Sequence, residues 1–172
     1  MSEESTGKIL FTLQHIPNGV ERMNPEIEDL TQTSSNLGII NVHPSHITLR
    51  TLIRSNTASG KKLLLDKISD FISYVGGDYV TESDYPAWEY RAHSPLRDTM
   101  VSEFEKMYGR PPVITAIHAG LECGIFAGKR EDLDMVSIGP DMLDVHTPSE
   151  TMDVESVERT WRYLKNVLAV LR

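Results

Sequence analysis

The residues able to do chemistry crowd between positions 118 and 150, HAGLECGIFAGKREDLDMVSIGPDMLDVHTPSE. His118 and Glu122 stand four residues apart, yet Gly120 and Gly124 oppose one regular helix through them. Two readings stay open. The glycines form tight turns with satisfied polar groups, or Glu122 presents a carboxylate to a metal, an amine or a helix terminus. Cys123 reads as a small buried filler, because no histidine has the local spacing of its base and a buried thiol is inert. Further on, Thr147 can cap a helix, Pro148 suits its first position and Glu150 completes a capping box. Such a turn would hold His146 in a fixed direction, as a zinc ligand or as a structural hydrogen-bonding group. Asp141 and Asp144 are candidates to orient its second nitrogen.

The remaining candidates lie upstream. Arg50 and Arg54 are four apart at a strand end, where a guanidinium can grip a carboxylate with two hydrogen bonds or serve a surface ion pair. His43 and His46 flank a strand connection, and two imidazoles at that spacing do not make a metal site. His15 and His93 stand beside loops and are expected to face solvent.

Residues 1–6 read as a disordered start, Lys8–Leu13 as strand-like and Pro17-Asn18-Gly19 as a turn. Asn36–Val42 and His46–Ile53 predict an antiparallel pair across a short connection, with alternating faces in the second strand. Leu64, Ile68, Phe71, Ile72 and Val75 recur at helical spacing and end at Gly76-Gly77. Asp78–Glu82 is a possible return strand. This half predicts a small α+β layer.

Asp84–Pro95, with two prolines and three bulky aromatics, marks a domain boundary. Ser94-Pro95 then opens a helix that stops at Gly109 and Pro111-Pro112. Val113–Ile117 and Met135–Ile138 predict short strands. From Asp153, the residues Val154, Val157, Trp161, Leu164, Leu168 and Leu171 form the apolar stripe of the strongest helix. Helix, strand, strand, helix predicts parallel-like strands covered by helices, with ligands at the C-terminal strand ends.

Composition excludes several classes. The 17 basic and 25 acidic residues give a net charge of −8 without a basic block, which argues against nucleic-acid binding. One cysteine cannot form an internal disulfide. The acidic N-terminus does not read as a signal peptide, and no apolar run is long enough for a membrane span. A soluble cytoplasmic protein is expected.

HAGLECG, SIGP and HTPSE, followed by ERTWRYL, resemble the C-terminal part of the aminoacyl-histidine dipeptidases, the PepD or carnosinase-like branch of the M20 zinc peptidases. PNGVERM, SSNLGIINV, LIRSNTAS and YPAWEY resemble segments of that family's inserted lid domain and its return into the catalytic domain. The similarity runs from about Lys8 to the end of the chain. It implies a mixed α/β and α+β fold: residues 1–88 as a partial α+β lid (a dimerisation-type domain), and 89–172 as the C-terminal part of an α/β catalytic sandwich.

In the resembled family two zinc ions activate a bridging water that attacks the peptide carbonyl, and a glutamate is the general base. By motif match, His146 is the metal ligand, while Glu122 and Arg54 contact the substrate, an Xaa-His dipeptide. The remaining metal ligands and the general base belong to an N-terminal portion whose motifs this sequence lacks, so no catalytic residue is assigned. Two expectations follow. Either the chain is a dipeptidase piece, inactive alone and completed by a companion chain, or it is a noncatalytic remnant stabilised by self-association.

Overall fold

The computed structural model describes residues 2–116 and 122–171. The chain divides into two compact units, residues 1–90 with 115–131 and residues 91–114 with 132–172.

The first unit opens with helix α1 (Glu3–His15), where a disordered start and a strand were expected. Local chemistry explains the difference. The Ser2 hydroxyl accepts the Ser5 amide at 3.1 Å, Glu3 and Glu4 face the positive helix terminus, and Lys8 pairs with Glu4 at 3.2 Å. Phe11 in the same turns stacks on Phe71, so the apolar residues read as a strand have a helical partner.

Three antiparallel strands follow in the order β1 (Gly19–Met23), β2 (Thr31–Val42), β3 (Ile47–Ser55). Strand β2 starts five residues before the expected Asn36. Its first residues gain their hydrogen-bonding neighbour from β1, Gly19 lying opposite Ser35 and Met23 opposite Thr31. The odd-numbered residues of β3 are half-buried and the even-numbered ones from Thr48 to Arg54 exposed, as the alternation predicts. Helix α2 (Ala58–Tyr74) covers the half-buried face: Leu64, Ile68 and Ile16 pack with Leu37, Leu49, Ile53, Phe71 and Ile72. Asp78–Glu82 forms no strand.

The Asp84–Tyr90 segment is tied to the start of α2. Lys61 binds the Asp84 carboxylate at 2.6 Å and the Tyr85 carbonyl at 2.5 Å, and the Glu89 carboxylate accepts the Ala58 amide at 2.8 Å.

In the second unit, helix α3 (Pro95–Tyr108) begins and ends where the sequence places it. Ser94 caps it by accepting the Arg97 amide at 3.1 Å, and Gly109 closes it at φ +66°. In the first unit, α4 (Glu122–Lys129) replaces the expected glycine turn. Both of its glycines face Pro86: a Cβ on Gly124 would lie 2.8 Å from the Pro86 carbonyl oxygen, and one on Gly128 would lie 2.6 Å from the Pro86 ring. These glycines serve close packing within a helix, which overrides their propensity cost.

Back in the second unit, β4 (Met142–Leu143) and β5 (Thr151–Met152) pair antiparallel and lead into α5 (Val154–Val170), capped by Asp153. Met100, Tyr163 and Val167 form the core of α3 and α5, with Leu96, Phe104, Met107 and Val136 around them. The Tyr163 hydroxyl donates to the Met100 carbonyl at 2.7 Å. Residues 113–116 and 135–138 form no strand, so the expected parallel-like pairing is absent among the described residues. A strand exists only with a neighbour to take its amides and carbonyls, and here the two segments have none.

Candidate functional site

His146 lies in the β4–β5 turn, exposed, with its backbone at φ +67°, and Asp144 stands at φ +52°. Two non-glycine residues in the left-handed region within three positions mark a locally strained turn. Its hydrogen bonds hold it there. The His146 amide donates to Glu150 Oε2 at 2.9 Å, the Thr147 hydroxyl donates to the Asp144 carbonyl at 2.7 Å, and the Ser149 amide donates back to Thr147 Oγ1 at 3.2 Å. The expected capping box is thus half realised. Glu150 reaches back as predicted, but to His146 rather than Thr147, and no helix begins at Pro148. The β5 pairing claims Thr151 and Met152, and the helix starts beyond them at its own cap, Asp153.

Asp141, a proposed orienter of the His146 ring, is engaged elsewhere. Its carboxylate takes Arg159 Nη2 at 3.0 Å and its amide donates to Ser156 Oγ at 2.8 Å. Arg159 also holds Asp153 at 3.2 Å. The hydrogen bond from Arg159 pulls the Asp153 carboxyl below its usual range and outweighs the opposing effect of desolvation. This exposed cluster fixes the entry to α5.

Arg54 and Glu122 belong to the first unit. Arg54 lies near the end of β3, opposite Ser34, on the face turned away from α2. No carboxylate among the described residues forms an ion pair with it, so the expected surface ion pair is not formed there. Glu122 is the first residue of α4, exposed, where its charge complements the helix terminus. Cys123 beside it is half-buried. His118 lies outside the described residues. The three candidate site residues are therefore divided, two in one unit and His146 in the other.

The sequence reading passed over Asn56. It is 6% exposed, and neither its amide nitrogen nor its amide oxygen has a hydrogen-bond partner. Its backbone amide donates to the Gln32 carbonyl at 3.0 Å, which extends the β2–β3 ladder by one residue beyond Ser55. It therefore continues the face that carries Arg54. Period-two counting from Arg54 could have found its face, but only the fold shows its burial.

The other histidines make no site. His43 and His46 stack at 4.4 Å at the β2–β3 hairpin end, His46 Nδ1 lies 3.2 Å from the Ser45 hydroxyl, and both rings are exposed. His15 Nδ1 lies 2.8 Å from the Phe11 carbonyl in the last turn of α1. Among the described residues no three histidine, cysteine, aspartate or glutamate side chains converge as a metal-binding group. One exposed imidazole does not fit a dinuclear zinc centre, which needs several convergent ligands.

The described geometry offers an exposed arginine, a strained histidine turn and a helix-terminal carboxylate, and known proteins supply a context for them. The chain is 33% identical over 165 residues to the cytosol non-specific dipeptidase of Escherichia coli (strain K12), a match covering 96% of this chain and 34% of that protein. It superposes on the crystal structure of the aminoacylhistidine dipeptidase from Vibrio alginolyticus with a TM-score of 0.87 at 31% identity, covering 98% of this chain and 34% of that one. The aminopeptidase PepT from Bacillus cereus shares the fold, with a TM-score of 0.72 at 16% identity over 95% of this chain and 44% of that one. No protein-family model matches. The chain is similar in sequence and fold to these dipeptidases and spans about a third of their length.

Proposed function

We propose that this polypeptide corresponds to the C-terminal portion of an M20-type dipeptidase of the aminoacyl-histidine branch, and that it is catalytically silent by itself. The observation that carries the reading is the superposition of 98% of the chain on 34% of an aminoacylhistidine dipeptidase, without a converging group of three metal-ligating side chains among the described residues. In this reading residues 1–88 are part of the lid and 89–172 part of the catalytic domain. The substrate of the completed enzyme is an Xaa-His dipeptide. Arg54 grips its carboxylate, Glu122 lines its pocket, and His146 contributes one ligand to a zinc site whose other ligands and general base a companion chain must supply. The setting is cytoplasmic; no helix among the described residues is long and apolar enough to cross a membrane.

The test is hydrolysis of an Xaa-His dipeptide in zinc-containing buffer, by the chain alone and with a polypeptide carrying the rest of a homologous dipeptidase. The expected result is no turnover alone, turnover in the mixture, and its loss on His146→Ala. Turnover by the isolated chain, or none in a complex shown to form, would overturn the proposal.

A second reading has its own observation. Trp161, Leu168, Val113 and Leu143 of the second unit are all exposed, which favours a noncatalytic remnant stabilised by self-association. The test is stoichiometric zinc binding that His146→Ala abolishes, an outcome that excludes it.

A further inference from the structure

Residues 84–90 form no helix or strand, yet the segment is fastened near both ends to the first turn of α2. Near one end Lys61 Nζ donates to Asp84 Oδ1 at 2.6 Å and to the Tyr85 carbonyl at 2.5 Å, and it lies 5.8 Å from the centre of the Tyr85 ring. Near the other, Glu89 Oε1 accepts the Ala58 amide at 2.8 Å. Helix α2 has no acidic residue in its own first turn, whereas α1, α3, α4 and α5 each have one or more. Glu89 therefore supplies, from the segment, a negative charge at that helix terminus and an acceptor for one of its free amides.

The middle of the segment meets α4. Gly124 and Gly128 share one face of that helix, and added Cβ atoms there would lie 2.8 Å from the Pro86 carbonyl oxygen and 2.6 Å from the Pro86 ring. The Trp88 Cβ is 3.7 Å from the first of these positions. Within α4 the shielded residues are Cys123, Gly124 and Ala127, whereas Ile125 and Phe126 are 48% and 56% exposed. The helix is thus seated in its unit by its small residues on the segment, and not by its large apolar side chains. Residues 91–114, which separate the segment from α4 in sequence, belong to the other unit.

We infer that residues 84–90 are a latch. The first turn of α2 holds the segment, the segment holds α4, and Lys61 with Glu89 governs whether α4 stays seated. An irregular segment has no strand ladder to offset the entropy lost in ordering it, so its side-chain fastenings decide whether it is closed. Opening is local: the segment and α4 come away together, while the β2–β3 ladder and the packing of α2 through Leu64 and Ile68 remain. The coupling is reciprocal, so loosening α4 must also loosen the segment. Glu122 opens α4 and Arg54 lies just ahead of α2, so the latch also sets where these two side chains stand within their unit. The inference does not depend on either having a role in a dipeptidase.

The experiment is amide hydrogen exchange on the full 172-residue chain, with acrylamide quenching of Trp88 in a Trp161→Phe background to report on the segment. Lys61→Met keeps the apolar stem and removes the ammonium. The α4 amides should then exchange about tenfold faster, with the β2–β3, α3 and α5 amides unchanged. Glu89→Gln, whose amide oxygen can still accept, should give about threefold. Both variants should raise the quenching of Trp88, and so should Gly128→Ala, which loosens the latch from the α4 side. Lys62→Met removes the neighbouring 2.6 Å pair with Asp66 and should change neither readout. The inference is overturned if α4 in the parent exchanges as an unfolded peptide does, or if Lys61→Met leaves α4 unchanged. It is also overturned if the β2–β3 amides accelerate equally, if Lys62→Met acts as Lys61→Met does, or if Gly128→Ala leaves Trp88 as it was.

Discussion

The two units of this chain stabilise themselves in different ways. In the first, a three-stranded sheet lies against one helix, and Leu64 at its centre is 1% exposed. The β2–β3 ladder runs from Thr33 opposite Ser55 to Val42 opposite Ile47, so backbone groups and apolar side chains are satisfied together. The second unit has two helices, two strands of two residues each, and a buried core of Met100, Tyr163 and Val167. Around that core Val113, Ile138, Leu143, Trp161 and Leu168 remain exposed. A layer closes on itself only when sheet and helix each find a partner. The first unit meets that condition on the α2 face of its sheet, while Ile40, Val42 and Leu52 are exposed; in the second, the extended segments have no ladder among the described residues and α5 has an uncovered apolar stripe.

This contrast can be broken most directly at the two cores. Leu64→Ala should remove about 3–5 kcal/mol from the first unit, the cost of a cavity at a fully enclosed site. Chemical denaturation followed by hydrogen exchange should show the loss in the β2–β3 amides and leave α3 and α5 unchanged. The converse change, Tyr163→Phe, removes the hydroxyl bond to Met100 and leaves that carbonyl without it. It should cost the second unit about 1–2 kcal/mol in the same measurement. Equal losses in both units from either change would mean that the two are one cooperative structure.

A smaller effect sharpens the role of close packing. Gly124→Ala should destabilise α4 by about 1–3 kcal/mol, because the new methyl meets the Pro86 carbonyl oxygen at 2.8 Å. The check is the melting temperature, with Gly7→Ala, where the added Cβ meets nothing within 4 Å, as the control. Asn56→Leu should stabilise the first unit by about 1 kcal/mol if its buried amide has no ligand to meet, because an unsatisfied polar group is removed. A destabilised variant would point to a partner for that amide.

The smallest effect is in pH. Burial raises the Asp134 carboxyl, but hydrogen bonds from the Ser94 hydroxyl at 2.7 Å and the Leu96 amide at 2.9 Å, with the charges of Arg91 and Arg97, outweigh it and hold it below the usual carboxylate range. A depressed folded value gives stability that is present above the ordinary aspartate pKa and lost as pH falls through the folded one. Acid titration should therefore weaken the second unit below about pH 4, and Asp134→Asn should flatten that slope.

Much of the fold was legible where the signal is local. Ser94-Pro95 and Gly109 bound α3, the alternation in Ile47–Ser55 sets the faces of β3, and Leu64, Ile68 and Phe71 mark the packed side of α2. The misread start of the chain was local too. Ser2, Glu3 and Glu4 carried the helix signal, but a six-residue apolar run does not distinguish helix from strand. The site was less legible. Motifs identified His146, Glu122 and Arg54 as candidates, yet they could not reveal the strained turn at His146, the engagement of Asp141 by Arg159 or the buried amide of Asn56.

The sequence by itself determined where helices can begin and end, which residues share a face, and the apolar stripe of α5, because caps, glycine conformations and periodicity act within a few residues. Tertiary structure alone decided the rest. Strand β2 extends because β1 lies beside it, Gly124 and Gly128 serve a helix because Pro86 presses on them, and residues 113–116 and 135–138 stay unpaired because no strand among the described residues offers them hydrogen bonds. Each depends on a group distant in the chain, and local propensity does not specify which distant group arrives.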